Sequence, residues 1–294
     1  MHWKKVTLVG VGLLGGSLGL ALKQRRLADS VAGFVRRPAS VKECEKKGAV
    51  DRATLDLGEA VTDADLVVLC TPIAQMRALA EQMVPFLRPG AVVTDVGSVK
   101  RSVVQDLSRS LARAEAHFVG SHPMAGSEKT GVAAAQPGLF IDAVCVLTPE
   151  PGSNAAAVRK ITQLWKSVGS RVLRLTPEAH DELVSRSSHL PHVLAAQLSN
   201  LVLGPQSPKH LAMLCANGFR DTTRIASGSP EMWRDIVLAN RKNLLNALDS
   251  FVQGLGNFKR VLKRGDEAAI SRFFEQAKHR RDQWSCQAGS HSQE

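Results

Sequence analysis

No apolar run in this chain reaches the roughly 18 residues that cross a bilayer, which excludes a membrane-spanning helix. The opening apolar stretch Val6-Thr7-Leu8-Val9 is too short for a secretory signal and reads as a strand. Cysteine is sparse. Cys44, Cys70, Cys145, Cys215 and Cys286 are odd in number, widely spread and form no CxxC pair. That pattern argues against a disulfide framework and offers no metal site. It fits reduced, mostly structural thiols in a cytoplasmic protein. Aromatic residues make up only 4% of the chain, and Lys and Arg are spread along it. Both features argue against nucleic-acid binding despite a net charge of +11, which fits either general solubility or attraction of small anions. Internal repeats and low-complexity segments are absent.

What is present is a soluble-type balance, 44% hydrophobic and 22% charged, over 294 residues. That length suits one large domain or two modest ones. Strand-like runs at 5–10, 31–35, 65–70, 91–95 and 117–121 alternate with helix-like stretches at 13–26, 38–47, 74–87 and 99–114. Further strands are predicted at 142–148 and 171–175, with an amphipathic helix at 153–168 between them. The alternation predicts a parallel sheet with right-handed crossovers. After about residue 176 the strand signal disappears, and the chain reads as successive helices to 282, broken near Gly204-Pro205, Pro208, Gly218, Gly228-Ser229-Pro230 and Gly265. The polar tail 283–294 is expected to fray.

Gly10-Val11-Gly12-Leu13-Leu14-Gly15 follows the first strand and opens the first helix, the context in which a GxGxxG motif gains weight. Gly10 suits the tight turn, Gly12 the close approach of a pyrophosphate, and Gly15 the packing of helix on strand. The N-terminus of the helix then offers free N–H groups to phosphates. The fold class is therefore α/β: a Rossmann-type doubly wound parallel sheet over 1–176, followed by an all-helical domain over 177–282. Where a site for NAD usually carries Asp or Glu after the second strand, this chain has Gly33-Phe34-Val35-Arg36-Arg37. Arg36 and Arg37 read as a grip for a 2′-phosphate, favouring NADP over NAD. The competing reading is two solvated arginines before Pro38, itself suited to the first position of a helix. Cys70-Thr71-Pro72 and Asp95-Val96-Gly97-Ser98-Val99-Lys100 end the next strands, where the sheet's carboxyl edge borders the ligand crevice.

His122 lies in Ser121-His122-Pro123-Met124-Ala125-Gly126-Ser127-Glu128-Lys129, and Pro123 biases it to an extended backbone at the same crevice edge. Its imidazole suits a general base near neutral pH, with Ser98 placed to bond its other ring nitrogen. A structural histidine capping a loop is the bland alternative. In Ser187-Ser188-His189-Leu190-Pro191-His192, the two histidines share a helix face, and Pro191 deprives the Ser187 carbonyl of its partner and predicts a kink. Arg220 and Arg224, four apart around Asp221, read either as a carboxylate clamp or as a solvated basic face.

Together these segments, with Arg224-Ile225-Ala226 and Met232-Trp233-Arg234-Asp235, resemble the prephenate dehydrogenase family (prephenate, arogenate or cyclohexadienyl dehydrogenases of tyrosine biosynthesis) over nearly the whole chain. The resemblance implies a substrate with two carboxylates and a ring hydroxyl. Hydride goes to a nicotinamide, and the ring carboxylate leaves as carbon dioxide. It implies His122 as base, Ser98 as its orienting partner, Arg224 as clamp for the ring carboxylate and His192 as contact for the side-chain carboxylate. His189, Ser188, Glu128, Arg220 and Asp221 are expected around the pocket, and Gly10, Gly12, Leu13, Leu14, Gly15, Arg36, Arg37, Cys70, Thr71, Pro72 and Ser98 around the cofactor. It further implies a homodimer through the helical domain, no metal, and no nucleic-acid or membrane partner. Arg220 stands where relatives often have lysine, and the missing acidic residue after the second strand departs from many NAD users. From chain length, neither a fused chorismate mutase nor a C-terminal regulatory domain is expected. Two other readings stay open: another two-domain dehydrogenase, which typically relies on a lysine in its helical half, and a dinucleotide sensor without turnover.

Overall fold

Seven residues, Trp3–Val9, form β1, and their inner half is a continuous buried run, as expected of a strand covered on both faces. The computed structural model describes residues 2–208 and 210–290. Around β1 lie β2 (Ala28–Phe34), β3 (Arg52–Thr54), β4 (Leu66–Leu69), β5 (Val92–Asp95), β6 (His117–Pro123), β7 (Val144–Thr148) and β8 (Arg171–Arg174). Among the described residues these make one eight-stranded sheet in the order β3-β2-β1-β4-β5-β6-β7-β8. The order reverses between β1 and β4, the switch point at which open α/β sheets bind ligands beyond their strand ends.

The helices of the first half are α1 (Leu13–Gln24), α2 (Pro38–Lys46), α3 (Leu57–Val61), α4 (Ile73–Met83), α5 (Arg101–Ala112) and α6 (Ala155–Ser167). Pro38 occupies the first turn of α2, as its missing N–H allows. Asn154 starts α6 by accepting the backbone N–H of Ala156 and Ala157. Two apolar clusters sandwich the sheet, one centred on Leu8, Leu18 and Trp165, the other on Leu69, Met83 and Leu107. The short elements β3 and α3 escaped the sequence reading, being too brief to show a period.

One expectation is corrected. The sheet is not parallel throughout, because β7 runs antiparallel to β6 and pairs His122 with Val146 and Pro123 with Cys145. The segment between them holds one three-residue 3₁₀ turn, Val132–Ala134, and no crossover helix, so the chain returns alongside β6 in the opposite direction.

After β8 come α7 (Pro177–Val184), a π-helical turn Ser185–His189, α8 (Leu190–Leu203), α9 (Asn217–Thr223), a 3₁₀ turn Arg224–Ser227 and α10 (Pro230–Ala239). The π turn ends just before Pro191, which lies in the first turn of α8, so the break forced by the proline is taken up by one wide turn. Sheet gives way to helix at Pro177, and compact packing continues across that point to Arg241; Lys242–Glu294 forms a second unit. That unit takes in α11 (Arg241–Arg264) from its second residue on and α12 (Glu267–Ser290); the two join at Gly265, whose φ of +62° is left-handed, and Phe258 packs on Phe273 with ring centroids 4.5 Å apart. The tail expected to fray is helical through Ser290, and residues 291–294 lie outside the described part. Among the described residues, no helix is long and apolar enough to cross a membrane. All five cysteines are free thiols.

Candidate active site

The crevice starts at the glycine turn. Gly10 has φ +97°, and a Cβ there would lie 2.9 Å from Thr71 Cγ2 and 3.0 Å from the Cys70 carbonyl oxygen. A Cβ on Gly15 would sit 2.1 Å from the Gly10 carbonyl oxygen, so only glycine lets α1 start this close to the turn. At Gly12 the space is open: beyond its own chain neighbours, no protein atom lies within 4 Å of where a Cβ would be. Gly12 thus lacks a side chain without any protein neighbour requiring it, and its open side is available to a pyrophosphate. The residues fit a dinucleotide.

Two adjoining cavities flank this turn. One, of about 910 Å³, is lined by Gly10 and Gly12, by Cys70, Thr71 and Pro72, and by Arg36 and Arg37. Lys46 and Lys47 also line it, and Glu43 is its one carboxylate. The second, of about 380 Å³, shares Gly12 and Thr71 and adds Leu13, Leu14, Ser98 and the loop 125–131. Gly15 lines neither and serves the turn through packing.

A third cavity, of about 300 Å³, shares Ser98 and the loop 125–128 with the second. It gathers His122, Glu128, Ser188, His192, Arg224 and Trp233. Residues from β6, α8, α10 and the 3₁₀ turn after α9 thus meet over the sheet edge. Arg224 Nη1 donates to Glu128 Oε2 at 3.2 Å, with both side chains partly exposed. His192 stacks on Trp233, centroids 3.7 Å apart and planes 28° from parallel, and its Nδ1 lies 2.9 Å from the Ser188 carbonyl oxygen. Burial and the nearby Arg224 hold the His192 imidazole below its ordinary pKa, against the pull of the Ser188 carbonyl.

His122 is only 7% exposed. Its Nδ1 lies 2.8 Å from His180 Nε2, and His180 Nδ1 lies 2.8 Å from Asp181 Oδ1. Asp181 also accepts the backbone N–H groups of Lys100 at 2.7 Å and Arg101 at 3.0 Å, capping α5 from outside the helix. Beneath His122, buried Lys100 pairs with buried Asp95 and donates to the Ser121 carbonyl at 2.9 Å. Trp165 Nε1 donates to Ser121 Oγ at 3.1 Å, and Ser121 N donates to Asp95 Oδ1 at 3.0 Å. The strand carrying His122 is therefore fixed by a satisfied polar web. Burial first, then the neighbouring His180, Lys100 and His189, push the His122 pKa well below the usual imidazole value, so the ring is neutral at neutral pH.

Several sequence expectations change. The partner of His122 Nδ1 is His180, whereas Ser98 lines the cavity beside the ring. His180 lies 58 residues from His122 in sequence, on a helix with no motif around it. His189 does not line the cavity: it is fully buried behind it, with Nδ1 3.1 Å from Asn240 Nδ2 and its ring edge-on to Trp233. Asn240 Nδ2 also donates to the Asp181 carbonyl at 2.7 Å, joining His189 to the same assembly. Arg220 and Asp221 are exposed on α9 and do not line the cavity either, because the α-helical spacing ends where Arg224 opens the 3₁₀ turn. Trp233 sat in a quoted motif, yet its role as the platform for both histidines shows only in the fold.

Residues 18–174 match the family described as prephenate dehydrogenase, nucleotide-binding domain, and residues 176–276 match prephenate dehydrogenase, dimerization domain. The prephenate dehydrogenase of Bacillus subtilis is 34% identical over 94% of this chain and 75% of its own length. The cyclohexadienyl dehydrogenase of Zymomonas mobilis is 33% identical over 95% of both chains. The crystal structure of A. aeolicus prephenate dehydrogenase, in complex with hydroxyphenyl propionate and NAD+, superposes with a TM-score of 0.89 at 32% identity, covering 96% of this chain and 98% of that one. A glycine turn fit for a dinucleotide, a buried histidine at the strand end beside it, and matches in order across both halves lead to one assignment: the chain belongs to the prephenate dehydrogenase family.

Proposed function

We propose that this protein catalyses the NAD(P)-dependent oxidative decarboxylation of prephenate to 4-hydroxyphenylpyruvate. The observation that carries this reading is that neutral, buried His122 opens on a cavity also lined by Arg224 and His192. A carbinol proton needs the first, and two carboxylates need the other two. A dinucleotide would be held by its pyrophosphate at the turn of Gly10 and Gly12, and its oxidised nicotinamide would supply the hydride acceptor. His122 accepts the ring hydroxyl proton as the carbinol carbon is oxidised. It returns that proton to the phenolic oxygen once loss of the ring carboxylate as carbon dioxide has aromatised the ring. Arg224 exchanges its Glu128 partner for the ring carboxylate, and His192, steadied on Trp233, faces the side chain. Ser98 lies beside the base and completes the wall between cofactor and substrate.

The reading favours NADP, because Arg36, Arg37, Lys46 and Lys47 set four cations against one carboxylate in the larger cavity. It favours prephenate over arogenate on the family resemblance, with His192 meeting the side-chain carboxylate as an imidazolium, because its Nδ1 proton is already given to the Ser188 carbonyl and only a second proton makes Nε2 a donor. The helical domain is read as the dimer interface, supported by exposed apolar side chains along α11, including Leu245, Val252, Leu255 and Leu262.

The test is formation of reduced nicotinamide with prephenate and with arogenate, each with NAD and NADP. Turnover of prephenate with NADP is the expected result. Turnover only with NAD removes the arginine argument, and no turnover in any combination removes the function.

A further inference from the structure

A histidine base must present an unprotonated nitrogen to its substrate, and nothing in β6 itself decides which of the two nitrogens that is. We propose that His180 and Asp181 are positioning residues that fix the tautomer of His122 and stabilise the charge it acquires in turnover. The inference rests on the functional reading above and adds two residues to it.

The hydrogen-bond chain has one self-consistent direction. Asp181 is an acceptor: its carboxylate takes two backbone N–H groups from the start of α5. His180 Nδ1, 2.8 Å from the same carboxylate, must therefore carry its proton, since a bare nitrogen there would set lone pair against lone pair in a fully buried place. That leaves His180 Nε2 bare. His122 Nδ1, 2.8 Å away, must then be the donor. The proton of neutral His122 is thus committed to Nδ1, and Nε2 is left as the acceptor for the cavity. When Nε2 takes the hydroxyl proton, His122 keeps its Nδ1 proton on the bond to His180, and the polarised chain ending at the Asp181 carboxylate stabilises the new positive charge.

The assembly is rigid. His180 is fully buried, and Asp181 is tied to α5 by its carboxylate and to Asn240 by its carbonyl. Other charged or titratable groups surround the ring: Lys100 with Asp95 below it, Cys145 on β7, His189 on the π turn, and His192, Arg224 and Glu128 around the cavity. Lys100, His189 and His180 when itself charged oppose a charge on His122, so His180 can support that charge only as the neutral acceptor the chain makes it. Asp181 is the carboxylate hydrogen-bonded, through His180, to its ring.

Two measurements test this on the full-length protein. The first needs no activity: 15N NMR of histidine-labelled enzyme, with His122→Asn used to assign the signal. The expected spectrum has His122 protonated at Nδ1, and protonation at Nε2 overturns the proposal. The second is kinetic. His180→Leu is expected to lower kcat about 100-fold, the lower range for loss of general-base catalysis. The Michaelis constant and the affinity for reduced nicotinamide should stay within about threefold, since His180 is fully buried and lines none of the three cavities. The acid limb of the rate profile should move, because the ring loses the group to which its Nδ1 proton is committed. His180→Gln, which keeps an acceptor facing Nδ1, should recover about tenfold of the loss. A His180→Leu enzyme with unchanged kcat and acid limb overturns the proposal. If His180→Leu fails to fold, the wild-type spectrum and His180→Gln decide. A wild-type enzyme without turnover would remove the functional reading, and the spectrum would still test the tautomer.

Discussion

The cofactor crevice and the substrate cavity meet at Ser98 and the loop 125–128, yet they are built in different ways. The crevice is made of backbone. Its shape follows from the left-handed Gly10, the bare Gly12 and the close packing of Gly15, all within six residues of one turn. The cavity is made of side chains drawn from β6, α8, α10 and the turns near them, and its His122 is held by a chain passing through α7 to the start of α5. A backbone site tolerates change wherever its glycines are kept. A side-chain site depends on partners far apart in sequence, and losing one exposes the others.

That contrast predicts which variants separate binding from chemistry. The largest effect is expected for His122→Asn, a fall in kcat of about 10³-fold with affinity for reduced nicotinamide near normal. Stopped-flow turnover and fluorescence titration check it, and wild-type turnover would end the assignment of the base.

Acid should weaken the side-chain assembly before the crevice. Burial, the largest cause, together with nearby His180 and His192, lowers the His189 pKa to about 4, against the opposing pull of Asp181. An unfolded histidine titrates near 6.5, so the unfolded chain binds this proton first as pH falls. The contribution is full above pH 6.5 and lost progressively toward pH 4, a span worth about 3 kcal/mol. Thermal unfolding followed across that window should show the loss, and His189→Gln should reduce its slope, leaving the part carried by His122 and His192. A wild-type curve level from pH 6.5 to 4 would contradict the burial argument.

Arg224→Ala is expected to raise the Michaelis constant about thirtyfold, the worth of roughly 2 kcal/mol for a hydrogen-bonded charge pair. Cofactor affinity should not move, and an unchanged Michaelis constant would remove Arg224 as clamp. The smallest effect falls in the crevice. Replacing Arg36 and Arg37 together with alanine should shift the NADP-to-NAD preference about tenfold toward NAD, since both side chains are solvent-exposed and screened. Competition between the two cofactors measures it, and an unaltered ratio would show the arginines to be solvated surface.

The sequence made the first half of the fold legible because β-branched runs and helical periods alternate there over lengths long enough to show. It missed Arg52–Thr54 and Leu57–Val61, too short to carry a period, and the reversal of β7, which depends on a connection with no local signature. In the site, His122, Arg224, His192 and Ser188 were all legible, since each stands in a motif. His189 was misplaced because helical spacing says which residues share a face and not whether that face turns toward a cavity or into the core.

The sequence by itself determined the glycine turn, the strand-end histidine, the basic pair after β2 and the change from sheet to helix at residue 176. Each is fixed by backbone conformation over a few neighbouring residues. Only the tertiary structure decided that His180 and Asp181 stand behind His122, that Trp233 carries His192, and that Asp181 caps α5 from outside. Those contacts join segments tens of residues apart. Their geometry is set by how α7 and α10 pack beside the sheet, which no local run of residues encodes.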